Sequence, residues 1–200
     1  EVNDSNFLLV DTAGIKRKGK TDKVLDKFSV IMALKALDRC DIAVILVDGL
    51  EGITDQDATI AGYAYERGRG CIIAVNKWDL VKRRVTASDE IKEQIKEKCK
   101  FLDFAPIIVL SALTGYGVNK LLPQVELISQ EYRKSIPTGR LNDCFEQAIE
   151  KNPISSYQGK FVKVHYTTQI KNRPPTFKCF VNYPEGIHFS YKRYLTNSLR

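Results

Sequence analysis

The sequence predicts an α/β chain organised around a mostly parallel sheet and followed by a small α+β unit. Short apolar runs without polar alternation, such as Ile42–Val47 and Cys71–Val75, read as strands covered on both faces, as parallel strands are. Each run alternates with a longer segment whose apolar residues recur at helical spacing, which calls for crossover helices on both faces of the sheet. After Tyr132 the punctuation changes: residues 133–140, RKSIPTGR, hold Pro137 and Gly139 and read as a linker. Domains are therefore expected at 1–135 and 136–200.

Taken in order, Phe7–Val10 is a compact strand-like run. Residues 24–37 place Phe28, Ile31, Leu34 and Leu37 on one helical face, and Ile42–Val47 is the next strand. Asp57–Glu66 reads as a helix capped by Thr54 or Asp55, whose short polar side chains can accept a free first-turn N–H. Cys71–Val75 is a strand, Ser88–Lys100 a charged helix with Ile91 and Ile95 as its apolar stripe, Ile107–Leu110 a strand and Val118–Tyr132 a helix. Beyond the linker, Asn142–Lys151 forms a helix around Cys144, Phe145, Ala148 and Ile149. Strands Phe161–Ile170 and Phe177–Val181 flank a turn at 171–175, and Ser190–Arg200 is a closing helix.

Composition narrows the functional classes. At 44% hydrophobic and 28% charged residues, the chain has the balance of a globular protein. Its longest apolar run, Ile42–Val47, is six residues, too short to span a membrane as a helix. The N-terminus has no basic segment ahead of its apolar run, so it is not read as a signal peptide. The cysteine usage suits a cytoplasmic protein, and a monomer is expected. Without an initiator Met and opening close to a strand, the chain is expected to be part of a longer protein. Five scattered cysteines without a C-x-x-C spacing predict reduced thiols and no zinc site, and His165 and His188 read as structural. Charge is uneven: residues 1–135 hold 21 Lys and Arg against 20 Asp and Glu, whereas residues 136–200 hold 10 against 4. That excess points to an anionic partner for the C-terminal part.

The motif that decides the reading is VDTAGIKRKGKT, residues 10–21. From Gly14 to Thr21 it satisfies the phosphate-loop pattern G-x-x-x-x-G-K-[ST]; from Asp11 to Gly14 it spells D-x-x-G, a γ-phosphate sensor. A phosphate loop runs into a helix at its Lys-Thr, yet Thr21 is followed by Asp22-Lys23 and a clear apolar period starts only near Val24. The D-x-x-G reading fits better. Asp11 ends a strand-like run, Asn76-Lys77-Trp78-Asp79 ends a later one, and Ser111-Ala112 follows the last. That order is the order of the final three nucleotide motifs of a GTPase. A buried carboxylate at Asp79 accepts from guanine N1–H and the 2-amino group; adenine offers neither donor, which is worth on the order of 10⁴-fold in selectivity. Asn76 ties the base to neighbouring loops, the Lys77 stem covers the base face, and Ala112 offers its N–H to O6.

Together with KFSVIMALKAL (27–37), EGITDQDATIAGYAYERG (51–68), FLDFAPIIVLSALTGYGV (101–118) and PPTFKCFVNYPEGIHFSYKRYL (174–195), these motifs resemble the Der (EngA) family of bacterial ribosome-assembly GTPases over the whole chain. The resemblance implies a partial P-loop GTPase domain, the second of two in that family, followed by a KH-like domain. It implies GTP hydrolysis coupled to assembly of the large (50S) ribosomal subunit, with 50S or rRNA and the absent first GTPase domain as partners. It also implies that the true phosphate loop and switch I lie outside this sequence, so Lys20 and Thr21 carry no phosphate-loop role and the catalytic residues stay unassigned. Asp11 would hold Mg²⁺ through a water, and the Gly14 N–H would meet the γ-phosphate. Ile15 replaces the water-orienting glutamine of Ras-like enzymes, and the resemblance points to K⁺ in its stead. Lys16, Arg17, Lys18 and Lys20 would fall in switch II.

The C-terminal unit has no G-x-x-G, so the usual KH clamp on nucleic-acid backbone is not expected. Its basic excess still predicts rRNA contact, with Lys192 and Arg193 as candidates between Tyr191 and Tyr194, tyrosines whose spacing favours core packing. A non-enzymatic alternative follows, in which the chain is an RNA- or ribosome-binding and domain-docking module.

Overall fold

The computed structural model describes residues 6–11, 31, 33–81 and 87–200. The chain divides into two compact units, Glu1–Tyr132 and Arg133–Arg200.

The first unit is a parallel sheet of three strands in the order β1-β2-β3, with β1 at Ile42–Asp48, β2 at Gly70–Asn76 and β3 at Ile107–Val109. Registers run from Ile42↔Gly70 to Asp48↔Asn76, and from Ile73↔Ile107 to Val75↔Val109. Helices α1 (33–39), α2 (Asp55–Glu66) and α3 (Ala87–Lys98) bring Leu37, Ala61, Ala64, Ile91 and Ile95 into one core with Cys71, Ile73 and Val75 of β2. Helix α4, Leu121–Arg133, follows a 3₁₀ turn at Val118–Lys120. Ile128 of α4 lies so close to Gly70 that a Cβ there would come within 2.6 Å of its Cγ2.

Strand β2 is buried from Cys71 to Val75, as its unbroken apolar run predicts. Strand β1 departs from the same prediction. Its buried residues alternate, Ala43, Ile45 and Val47, while Leu46 is 60% exposed. The physical reason is position: β1 is an edge strand among the described residues, so its apolar run is covered on one face only. The expected strand at Phe7–Val10 is also absent. These residues have no ladder partner among the described residues and Leu8 and Leu9 lie open; a single run cannot satisfy its own backbone N–H and C=O groups.

Helix α2 starts at a capping box. Thr54 Oγ1 accepts from Asp57 N at 3.2 Å, and Asp57 Oδ2 accepts from Thr54 N at 2.9 Å. Both N–H groups at the helix start are thereby satisfied, which settles the cap on Thr54 rather than Asp55. Thr54→Ala removes one half of the box and is expected to cost about 1 kcal/mol of unfolding free energy in urea titration; an unchanged midpoint would show that Asp57 alone holds the start.

The second unit contains α5 (Thr138–Lys151), β4 (Val164–Asn172), β5 (Pro175–Val181) and α6 (Phe189–Ser198), the expected α-β-β-α order. Helix α5 begins four residues earlier than its apolar pattern suggests, because Pro137 takes the N-cap position and its fixed φ leads directly into a helix. The hairpin turn is shorter than expected, since the antiparallel ladder reaches Asn172↔Pro175. Leu141, Phe145 and Ala148, at helical spacing on α5, bury against Leu195 of α6. Asn142 locks α5 to β4: its Oδ1 accepts from Thr167 N at 2.7 Å and its Nδ2 donates to Thr167 O at 3.0 Å.

Tyr191 and Tyr194 pack against this core, with Tyr191 Oη donating to Asn152 O and Tyr194 Oη to Ala148 O at 2.8 Å. Burial, and then the neighbouring Tyr194, push the Tyr191 phenol above its ordinary range, so it stays a donor. His188 caps α6 by accepting from Ser190 N, a structural role, as expected.

Candidate nucleotide site

The parallel sheet sets the C-terminal ends of β1, β2 and β3 side by side, and loops carrying the polar motifs leave from there. Asn76 is the last residue of β2. Lys77 follows with φ +60°, an unusual conformation for a residue with a side chain, and so turns the chain sharply out of the sheet. Trp78 N then donates to Leu110 O at 3.2 Å, tying this turn to the one after β3.

Four side-chain contacts give the site its shape. Ser111, fully buried, donates from Oγ to Asp79 Oδ1 at 2.5 Å. Asn76 Oδ1 accepts from Ala112 N at 2.9 Å. Lys77 Nζ pairs with Asp48 Oδ2 at 2.7 Å across the ends of β1 and β2. Asp48 Oδ1 accepts from Leu50 N at 2.9 Å and orders the loop after β1. That loop approaches closely: Gly49 N donates to Asn76 O at 2.8 Å, and a Cβ on Gly49 would sit the same 2.8 Å from that oxygen.

The Ser111-Ala112 loop is held by its own turn. Ser111 N donates to Tyr116 O at 2.8 Å, and Thr114 N donates to Ser111 Oγ at 3.2 Å. Ser111 thus receives one bond and gives one, which fixes its hydroxyl toward Asp79.

Two expectations change. The sequence predicts a buried Asp79, but the residue is exposed, because it sits on the turn beyond the strand rather than within the sheet, with Oδ1 anchored by Ser111. The Ala112 N–H, expected to serve the base, donates to Asn76 Oδ1 in this structure. Asn76, Lys77, Asp79, Ser111 and Ala112 are therefore one connected cluster with Asp48. The sequence motifs alone do not single out Asp48; the available signal is a carboxylate ending an apolar strand.

Asp11 is described and exposed, outside this cluster of bonds, while Gly14 and the residues 12–30, with the competing phosphate-loop reading and switch II, lie outside the described residues. No group of three or more His, Cys, Asp or Glu side chains able to hold a metal comes together among the described residues. No described helix is long and apolar enough to cross a membrane. All five cysteines are free, and burial pushes the Cys40 and Cys99 thiols above their ordinary range, so neither is an activated nucleophile.

Open parallel sheets take their ligands at the carboxyl ends of the strands, and this sheet with its clustered loops has the architecture of the nucleotide-binding α/β proteins. More particularly, residues 2–131 match the family described as "Elongation factor Tu GTP binding domain", and the chain belongs to that family. Residues 135–200 match the description "KH-domain-like of EngA bacterial GTPase enzymes, C-terminal". The chain is 48% identical over 200 residues to GTPase Der of Desulforapulum autotrophicum, a match covering 100% of this chain and 41% of that one. It is 44% identical over 198 residues to GTPase Der of Geobacter metallireducens, covering 99% and 45%. The resemblance carried by the motifs therefore extends along the whole chain, which spans less than half the length of these curated relatives. Among solved structures it is similar in fold to one described as a probable GTP-binding protein engB, with a TM-score of 0.50 at 21% identity over 60% of this chain and 75% of that one.

Proposed function

We propose that the protein containing this chain binds and hydrolyses GTP in the cytoplasm and acts in assembly of the large ribosomal subunit, these residues supplying base recognition and an RNA-facing unit. The observation that carries the reading is the Asp79 carboxylate, held through Oδ1 by buried Ser111 on a residue that is itself exposed. A fixed, open carboxylate suits the paired N1–H and 2-amino donors of guanine and repels the acceptor edge of adenine. Asn76, Lys77 and Ala112 line the same edge: the Ala112 N–H turns to O6 when the base arrives, and Asn76 takes over base contacts of its own.

Phosphate chemistry is proposed to need a segment outside these residues, and potassium ligands with it. Asp11 alone does not build a cation site. Mg²⁺ characteristically takes one or two carboxylates together with substrate phosphates, and Asp11, joined by phosphate oxygens and water, fits that pattern. The Gly14 N–H is assigned to the γ-phosphate by motif alone.

Calorimetry tests this division. The 200-residue chain is expected to bind GTP weaker than micromolar, because the base contacts remain but the main phosphate ligands do not. The full-length protein is expected to bind GTP tightly and discriminate against ATP. Micromolar or tighter GTP binding by the chain itself would return the phosphate loop to Gly14–Thr21; equal binding of ATP would remove the base-recognition role.

For the second unit, the excess of 10 basic over 4 acidic residues in 136–200 favours the RNA- or ribosome-binding reading, which stands beside GTP hydrolysis rather than against it.

A further inference from the structure

The β4–β5 hairpin has two unlike faces. Paired residues in an antiparallel ladder share a face, and successive pairs alternate. Thr167, opposite Cys179, is fully buried toward α5, and Phe177, opposite Gln169, packs into the core of the unit. The intervening pairs therefore point away from the helices: Tyr166 with Phe180, Thr168 with Lys178, and, beyond a bulge, Lys171 with Thr176. Tyr166 and Phe180 stack at 4.2 Å between centroids and 16° between planes, and Tyr166 remains 47% exposed. Lys178 Nζ lies 4.8 Å from the centroid of the Phe180 ring.

This face combines two chemistries rarely left together in the open. A stacked aromatic pair presents a flat π surface on which a nucleobase continues the stack. Its immediate neighbours are cations. The segment 160–182 contains Lys160, Lys163, Lys171, Arg173 and Lys178 and not one Asp or Glu. The four acidic residues of 136–200, namely Asp143, Glu146, Glu150 and Glu185, all lie outside it. A polyanion carrying exposed rings matches both features; a protein surface would need to supply its own acidic patch as well as an apolar one.

We infer that the open face of the β4–β5 hairpin is a stacking platform for unpaired bases of single-stranded RNA, with Tyr166 and Phe180 as the platform and Lys178 and Lys171 holding the flanking phosphates. The face replaces, as the main contact, both the missing G-x-x-G clamp and the Lys192–Arg193 pair, whose flanking tyrosines are tied into the core. Because stacking is indifferent to base identity, the platform prefers unpaired over paired RNA without reading sequence. The inference rests on the RNA-binding part of the proposed function and is tested so that the two can fail separately.

The experiment is fluorescence anisotropy of the whole 200-residue chain with two labelled RNAs, a strand of about 12 nucleotides without self-complementarity and a duplex of equal length. The strand is expected to bind several-fold tighter than the duplex. Tyr166→Ala is expected to weaken strand binding about tenfold and Tyr166→Phe to restore it, since the ring and not the hydroxyl does the stacking. Lys178→Gln should weaken it and lower the salt slope by about one unit. Should Tyr166→Ala fail to fold by circular dichroism, exposed Lys178 still decides the matter. Wild-type strand affinity in both Tyr166→Ala and Lys178→Gln overturns the platform, as does equal binding of strand and duplex. If binding is lost instead in Lys192→Gln combined with Arg193→Gln, the RNA reading stands and the platform falls. If neither RNA binds at low salt, both fall, and the hairpin face is a docking surface for protein.

Discussion

Asp79→Asn in the full-length protein is expected to weaken GTP binding about a thousandfold while raising affinity for xanthosine triphosphate. The carboxylate is an acceptor only, and guanine presents two donors to it. An amide at this position turns one acceptor into a donor and leaves a guanine donor facing a donor. Xanthine carries a 2-oxo group where guanine carries the amine, so the new amide finds a partner there. The surrounding structure should tolerate the change, because Ser111 Oγ, which donates to Asp79 Oδ1, can donate equally to the amide oxygen. Competition of labelled GDP by GTP, XTP and ATP reads the switch, with thermal unfolding as the control. Equal losses for GTP and XTP would mean that Asp79 organises the loop without touching the base.

Gly117→Ala should act on the same site through the backbone. Gly117 has φ +71°, and a Cβ there would lie 2.3 Å from Val109 O and 3.3 Å from Leu110 Cα. Neither neighbour is free to withdraw: Val109 is paired with Val75 in the β2–β3 ladder, and Leu110 N donates to Val75 O at 2.8 Å. The substitution must therefore break the turn that closes Ser111 N onto Tyr116 O, and Ser111 would lose its aim at Asp79. A loss of about 3 kcal/mol is expected, from left-handed strain and overpacking together. Gly115→Ala is the internal control. Gly115 has φ +77°, but a Cβ there would meet nothing within 4 Å, so only the strain of about 1–2 kcal/mol remains. Urea unfolding compares the two, and equal losses would show that close approach to Val109 is not what requires the glycine.

Much of the first unit was legible from residue type and spacing. Cys71–Val75 read as a central strand because five consecutive apolar side chains leave no face for water, and β2 is buried on both sides. Thr54 and Asp57 announced the start of α2 because a capping box is made from neighbours in sequence. Asn76, Asp79 and Ser111 were legible as a set because each lies at or just past a strand end, and parallel strands bring their carboxyl ends together. Local bonds leave local signatures.

Features that depend on what lies across the sheet were not legible. Ile42–Val47 is as apolar as β2, yet its place at the edge leaves Leu46 open, and no property of the run itself distinguishes an edge from a centre. Phe7–Val10 has strand composition, but a strand exists only with a partner. The Lys77–Asp48 pair joins residues 29 apart, and only the parallel register of β1 and β2 brings Asp48 beside Asn76 and its neighbour. Likewise, Tyr166, Lys178 and Phe180 look like ordinary strand residues until two bulges and the pairing of β4 with β5 turn them to one face while Thr167 and Phe177 turn to the other. Residue chemistry named the Asn76–Asp79 motif and the start of α2, because those depend on neighbours along the chain. Which carboxylate is open, which lysine is held and which aromatics face outward was decided by tertiary structure, because exposure belongs to the packing of distant segments and not to any segment alone.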